Sequence, residues 1–163
     1  YNRARIFLYR GQYEEAFLEL ERGEKVQPNH PMVRIFKSAV LYYSGDVPGA
    51  IETIQQVLTK NPSMVGIRSL YAIYLAGSGR QADALAQLSE EVIELATSDH
   101  DMAYWVGSTY ALLGDKDRAF KWLSRAIELG NTNEPWFKSD KSLEDIRGDE
   151  RFGALLDKMV QSF

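Results

Sequence analysis

Cysteine is absent from this chain, which excludes disulfide frameworks and thiolate metal sites and fits a reducing compartment, so a cytoplasmic location is expected. No stretch approaches the ~18 consecutive apolar residues that a membrane-spanning helix needs, and no signal-like start is present. A basic excess is missing too. Lys and Arg number 19 against 23 Asp and Glu, a formal net charge of −4, which argues against a nucleic-acid-binding surface. Histidine is nearly absent, with only His30 and His100. What is present, 45% hydrophobic and 26% charged residues in 163, describes one ordinary folded domain or one continuous array rather than a disordered chain.

The glycines carry the organisation. Only 12 residues are glycine, yet a glycine followed five residues later by an alanine recurs four times at nearly constant spacing: Gly11/Ala16, Gly45/Ala50, Gly79/Ala84 and Gly114/Ala119. The spacing from one pair to the next is 34, 34 and 35 residues. A fixed period of that size means one supersecondary unit repeated several times.

Each unit reads as helix, tight turn, helix. Met32 to Tyr43 is almost all apolar or small, Gly45-Asp46 breaks it, and Ile51, Ile54, Val57 and Leu58 then follow as one helix face. The glycine suits a turn at positive φ where a helix ends. Asp46 and Asp115 stand where they would cap the next helix. Pro28-Asn29-His30-Pro31 and Asn61-Pro62-Ser63 separate units, because proline opposes helix through the residue before it and suits a first turn. Small residues also keep register: Ala4, Ser38, Ala72 and Gly107 each precede the second alanine of their unit by 12. That predicts one small residue on each helix of a pair, at a close crossing of the two backbones. Leu20, Ile54, Leu88 and Leu123, each four beyond that alanine, are the expected core.

These features resemble the tetratricopeptide repeat family, whose unit has 34 residues with a G-x-Y-x-x-A turn and a closing proline. Gly11-Gln12-Tyr13-Glu14-Glu15-Ala16 with Pro28 matches closely. Later units depart from the tyrosine, with Val47, Gln81 and Lys116, and the third lacks the closing proline. Its second helix is therefore expected to run on through Glu91-Val92-Ile93-Glu94-Leu95 and so absorb the extra residue. The fold class this implies is all-α: a right-handed superhelical solenoid of about four helix-turn-helix repeats, with a C-terminal capping helix. The units are expected near 1–30, 31–64, 65–99 and 100–133, the repeats together covering about 1–130. Helices are expected over 1–10, 12–26, 31–44, 47–60, 63–77, 81–96, 100–113 and 116–129, with no strand.

The chain starts at Tyr1 inside what should be the first helix of the first unit. A fragment of a longer protein is the expectation, with Ile6, Phe7 and Leu8 left little to pack against. At the other end, 131–163 breaks the repeat and is expected to cap it. Short turns are expected at Pro135-Trp136-Phe137 and Ser142 to Ile146, then a final helix over about 149–161 opened by Asp149. Phe152, Leu155, Leu156, Met159 and Val160 form its apolar stripe. The string from Leu143 to Met159 is similar to the closing segment of many bacterial tetratricopeptide proteins, in which a kinase, nucleotide cyclase or winged-helix regulator often lies upstream.

Catalysis needs converging polar groups, and none is visible. His30 and His100 lie at unit junctions, two units apart, and read as capping or solvated. Gly77-Ser78-Gly79 ends a helix and is followed by no Lys-Ser/Thr, so it is no phosphate loop. Glu14/Glu15 and Glu90/Glu91 are adjacent on helices and point apart. The chain is therefore expected to be no enzyme and to use no cofactor or metal.

Binding is the better reading. In the stack that the resemblance implies, the first helix of each pair lines a concave groove. The residues facing it would be Arg5, Tyr9, Ile35, Ala39, Tyr42, Tyr43, Ser69, Ile73, Tyr104, Ser108 and Leu112. Two adjacent tyrosines cannot both be buried in one helix interface, so Tyr43 is expected to project outward; packing between units is the plain alternative. Chaperone-binding relatives clamp an acidic peptide with lysines and asparagines. Asn2 matches one such donor, but Phe36, Leu70 and Trp105 stand at the others, so the clamp is not kept. Arg34 and Arg68 would make a weak basic ladder unless they are solvated or paired with glutamates. The leading expectation is a non-catalytic module that binds a protein or peptide partner in its groove. The alternatives are a regulatory domain of a larger bacterial signalling protein, or a structural array that self-associates through its uncapped first unit.

Overall fold

Of the five glycines at left-handed φ among the described residues, four recur with the repeat: Gly11, Gly45, Gly79 and Gly114 at 69°, 107°, 81° and 78°. Side chains other than glycine avoid that region, so each of these residues ends one helix and turns the chain back. The computed structural model describes residues 1–161, and among them it contains helices and turns but no strand. Two units are delimited by their internal packing, Tyr1–Met64 and the part from Val65 onward.

The first unit holds α1 (Asn2–Tyr9), α2 (Tyr13–Val26), α3 (Pro31–Ser44) and α4 (Val47–Lys60). Pro31 lies in the first turn of α3, and Asp46 accepts the Gly49 N–H at 3.0 Å to cap α4. Ala4, Ala16, Ser38 and Ala50 have no exposed surface, as expected for small residues at helix crossings. Leu8, Leu20, Val33 and Val40 build the core around them, with Phe7, Tyr9, Phe17 and Tyr43 packed against it. Ile6 remains 51% exposed.

The second unit begins with a 3-10 turn, Val65–Ile67, then α5 (Arg68–Gly77), α6 (Gln81–Gln87), α7 (Glu90–Ala96), α8 (His100–Leu112) and α9 (Lys116–Glu128). Two expectations are corrected here. The helix expected from residue 63 starts at Arg68, because Gly66, a poor helix former, is pressed so closely on Met102 that a Cβ there would lie 2.7 Å from its sulfur. The helix expected over 81–96 is two helices. Leu88 leaves helical geometry, and Ser89 turns extended and accepts the Val92 N–H at 3.4 Å, with Glu90 and Glu91 in the first turn of α7. This restart absorbs the extra residue of the third period. Val92 and Ala96 are consequently buried, while Leu88 is only partly so.

The tail supplies α10 (Glu134–Ser139), a 3-10 helix (Lys141–Ile146) and α11 (Glu150–Gln161). The 3-10 helix lies on α8 and α11 lies on α9. Phe137, Leu143, Ile146, Phe152, Leu155 and Met159 are buried, so this segment closes the end of the stack. Arg151 reaches across to Asp117 at 2.7 Å with its guanidinium 4.4 Å from the Phe120 ring, and Lys158 donates to Ser124 Oγ at 2.7 Å. Val160, expected in the apolar stripe, is 69% exposed. It falls past the edge of the stripe that α11 presents to α9.

Candidate functional site

The repeat period sorts the expected groove residues into rows, one member per helical pair. The first row is Tyr1, Ile35, Ser69 and Tyr104; the second is Arg5, Ala39, Ile73 and Ser108; the third is Tyr9, Tyr43, Gly77 and Leu112. In the first two rows only Tyr1 and Arg5 keep appreciable surface, and the later members are buried. The third row stays at least partly exposed in every copy. Tyr42 is buried and packs edge-to-face on its neighbour Tyr43, with ring centroids 5.1 Å apart.

Within the first unit, α1 and α3 pack side by side, and Tyr9 and Tyr43 both pack against the same core cluster. Ile35, Ala39 and Tyr42 form the buried layer beneath. Tyr1 stacks on Phe36 at 5.7 Å and on His30 at 5.8 Å, extending the aromatic surface toward the start of α3.

The second unit treats the same positions differently. Ser69 donates to the Gly66 carbonyl at 2.6 Å. Tyr104 is closed over by the tail: its hydroxyl donates to the buried Asp140 Oδ2 at 2.6 Å, and its ring meets Phe137 edge-on at 4.8 Å. Asp140 is held in place by the Ser142 N–H at 2.8 Å on Oδ1 and by Arg147, which donates to its backbone carbonyl at 2.7 Å. Burial pushes the neighbouring Lys141 ammonium below its ordinary range, with Asp140 opposing that shift. Ser108 Oγ is buried with no hydrogen-bond partner, and Leu112 is partly exposed. Phe137 and Asp140 went unread in the sequence as partners of Tyr104, since no local pattern relates residues so far apart.

The charged candidates resolve simply. Arg34 donates to Gln56 Oε1, and Arg68 donates to Gln87 Oε1 at 2.9 Å, so each pairs with a neutral glutamine of its own helical pair rather than a glutamate. His30 and His100 belong to different units; His100 Nδ1 lies 3.2 Å from Asp101 Oδ1. Among the described residues no group of three or more His, Asp or Glu is arranged to hold a metal ion, and no helix is long and apolar enough to cross a membrane.

Comparison with known proteins agrees with this geometry. The sequence model of the tetratricopeptide repeat matches residues 1–65, 37–99 and 72–134. The TPR repeat-containing protein YvcD of Bacillus subtilis (strain 168) is 26% identical over 137 residues, covering 83% of this chain and 28% of that protein. The chain thus spans under a third of that relative's length. Among solved structures, MamA 41-end from Desulfovibrio magneticus RS-1 superposes with a TM-score of 0.53 at 20% identity, covering 99% of this chain and 93% of that one. The MamA RS-1 ArsTM double mutant gives 0.52 at 21%, covering 98% and 90%. At such identities these two likenesses establish the all-α fold alone. Because the family's own pattern runs through the helical pairs from residue 1 to 134, the chain belongs to the tetratricopeptide repeat family.

Proposed function

We propose that this chain, a protein-interaction module by family, grips a peptide or protein segment through Tyr9 and Tyr43 of the first unit and performs no catalysis. One observation carries the reading: of the three rows on the inner helices, only theirs keeps surface in every copy. Tyrosine suits such a wall because its ring offers large contact area and a polar tip at low entropic cost. Arg5, one turn before Tyr9 on α1, adds a single charge at its edge. Arg34 and Arg68 donate to glutamines and belong to none of the three rows, so the row itself is aromatic and apolar, and salt should affect recognition little.

The test is site-specific photo-crosslinking. A crosslinker at position 43 or 9 should trap a partner that the same group at Glu52, exposed on α4, does not. Tyr43→Ala and Tyr9→Ala should then each weaken capture about ten-fold or more, the range of a binding hot spot, with helical circular dichroism unchanged. Equal trapping from Glu52, or capture that collapses between low and moderate salt, would refute the inner row.

A further inference from the structure

The outer side of the second unit carries a second surface, independent of the inner row. A groove of about 510 Å³ runs between α7 and α9. Ile93 and the buried Trp122 give it an apolar floor. Arg125 fixes its width, donating through Nε and Nη2 to the Thr97 carbonyl at 2.9 and 2.6 Å and so tying the end of α7 to α9. The groove's rim carries two cations, Lys121 and Arg125, against one carboxylate, Glu128, although the chain is acidic overall. Lys121 makes no ion pair among the described residues, and Arg125 meets only a neutral carbonyl and a long 3.4 Å contact to Glu128. An apolar floor flanked by Lys121, which has no ion-pair partner among the described residues, and by Arg125 fits an apolar side chain flanked by carboxylates.

Such a feature exists on this chain. Leu18 of α2 is 55% exposed. Glu14 and Glu15 precede it by one turn and Glu21 follows by one, so all three lie on its face of the helix. All three are exposed, and none is ion-paired among the described residues; Arg3 and Arg22 both go to Glu19 instead. A lone exposed leucine is ordinary. Three unpaired carboxylates around it, matched to a groove with the opposite rim, are not accounted for by solubility alone.

We propose that the α7–α9 groove receives α2 of a second copy of this chain, with Leu18 inserted over Ile93 and Trp122 and Glu14, Glu15 and Glu21 facing Lys121 and Arg125. The contact joins two different surfaces, so it is heterologous, and symmetry does not limit it to a dimer. Both patches are small, which places the association among weak, concentration-dependent ones.

Sedimentation velocity of the full chain at low salt, over a concentration series, tests this. The wild type should shift to larger species with concentration. Lys121→Glu and Glu15→Lys should each weaken association about ten-fold or more, and the two together should return it to within about three-fold of wild type, since the swapped charges attract again. Both positions are exposed, and circular dichroism checks that each variant remains folded. A wild type that stays monomeric up to about 1 mM, weaker than any useful self-association, overturns the proposal. So do single reversals without effect, or a double variant that does not recover.

Discussion

The first helices of the pairs carry the same rows of positions in both units, yet more of those positions stay open in the first unit than in the second. In the first unit Tyr1, Arg5, Tyr9 and Tyr43 reach the surface while Ile35 and Ala39 are buried; in the second only Gly77 and Leu112 do, and Ser69, Ile73, Tyr104 and Ser108 are buried. At Tyr104 the cause is visible, because the tail brings Phe137 and Asp140 onto it. Repeat position decides which way a side chain points. What is folded against it decides whether a partner can reach it.

Substituting alanine for a tyrosine in each unit sharpens that contrast most. Tyr104→Ala removes a buried ring and strips Asp140 of a donor, so it should destabilise by about 3–5 kcal/mol. Tyr43→Ala, from a partly exposed ring, should cost about 1 kcal/mol. Urea denaturation read by circular dichroism measures both, and equal losses would break the comparison. Tyr104→Phe isolates the hydrogen bond, with a loss of about 1–3 kcal/mol for a buried acceptor left without its donor.

A smaller effect separates the helix crossings of the two units. Gly107 sits where α8 meets α9, and a Cβ there would lie 2.9 Å from Leu123 Cγ and 3.0 Å from its backbone nitrogen. The corresponding residue of the first unit is Ala4, which already carries a fully buried methyl. Gly107→Ala should therefore destabilise by about 1–3 kcal/mol through overpacking. A thermal midpoint unchanged by this substitution would show that the two crossings are equally wide.

The smallest effect concerns the tail's attachment, which the first unit lacks. Arg151 donates to Asp149 through its side chain and backbone and holds that carboxyl down at about 2, from an ordinary 3.8. A carboxyl depressed in the folded state stabilises above its unfolded value and loses that contribution as it protonates. The stabilisation this pair gives to the start of α11 should therefore be present above about pH 4 and be lost as pH falls toward 2. Tryptophan fluorescence during acid titration would follow it, and Asp149→Asn should flatten the transition. A transition centred above pH 5 in both proteins would assign the change to other groups.

Most of the fold was legible because its signals are local. The helix expected over 31–44 is α3 at Pro31–Ser44, and the one expected over 47–60 is α4 at Val47–Lys60. Misreadings gathered where two local signals competed. Around Leu88 a continuous apolar period favoured one helix, while Ser89 followed by two glutamates made a good start for another; the cap prevailed, since it satisfies a helix-end N–H and lets Val92 and Ala96 be buried. Val160 fits the stripe by spacing, but it is exposed while its neighbour Met159 is buried, so it lies outside the face that α11 buries. For the inner rows, the period named the positions and carried no information about which would stay open.

The sequence by itself determined the period, the paired helices, the left-handed glycines that turn them and the small residues at their crossings. Each follows from backbone sterics or from side chains within one or two turns of each other. Only the tertiary structure decided that the tail seats Asp140 beneath Tyr104, that the cations of Arg34 and Arg68 rest on glutamines, and that a groove opens between α7 and α9. Those outcomes depend on how residues distant in the chain pack together, where volume, burial and hydrogen-bond satisfaction must be met at once and no short-range pattern records the result.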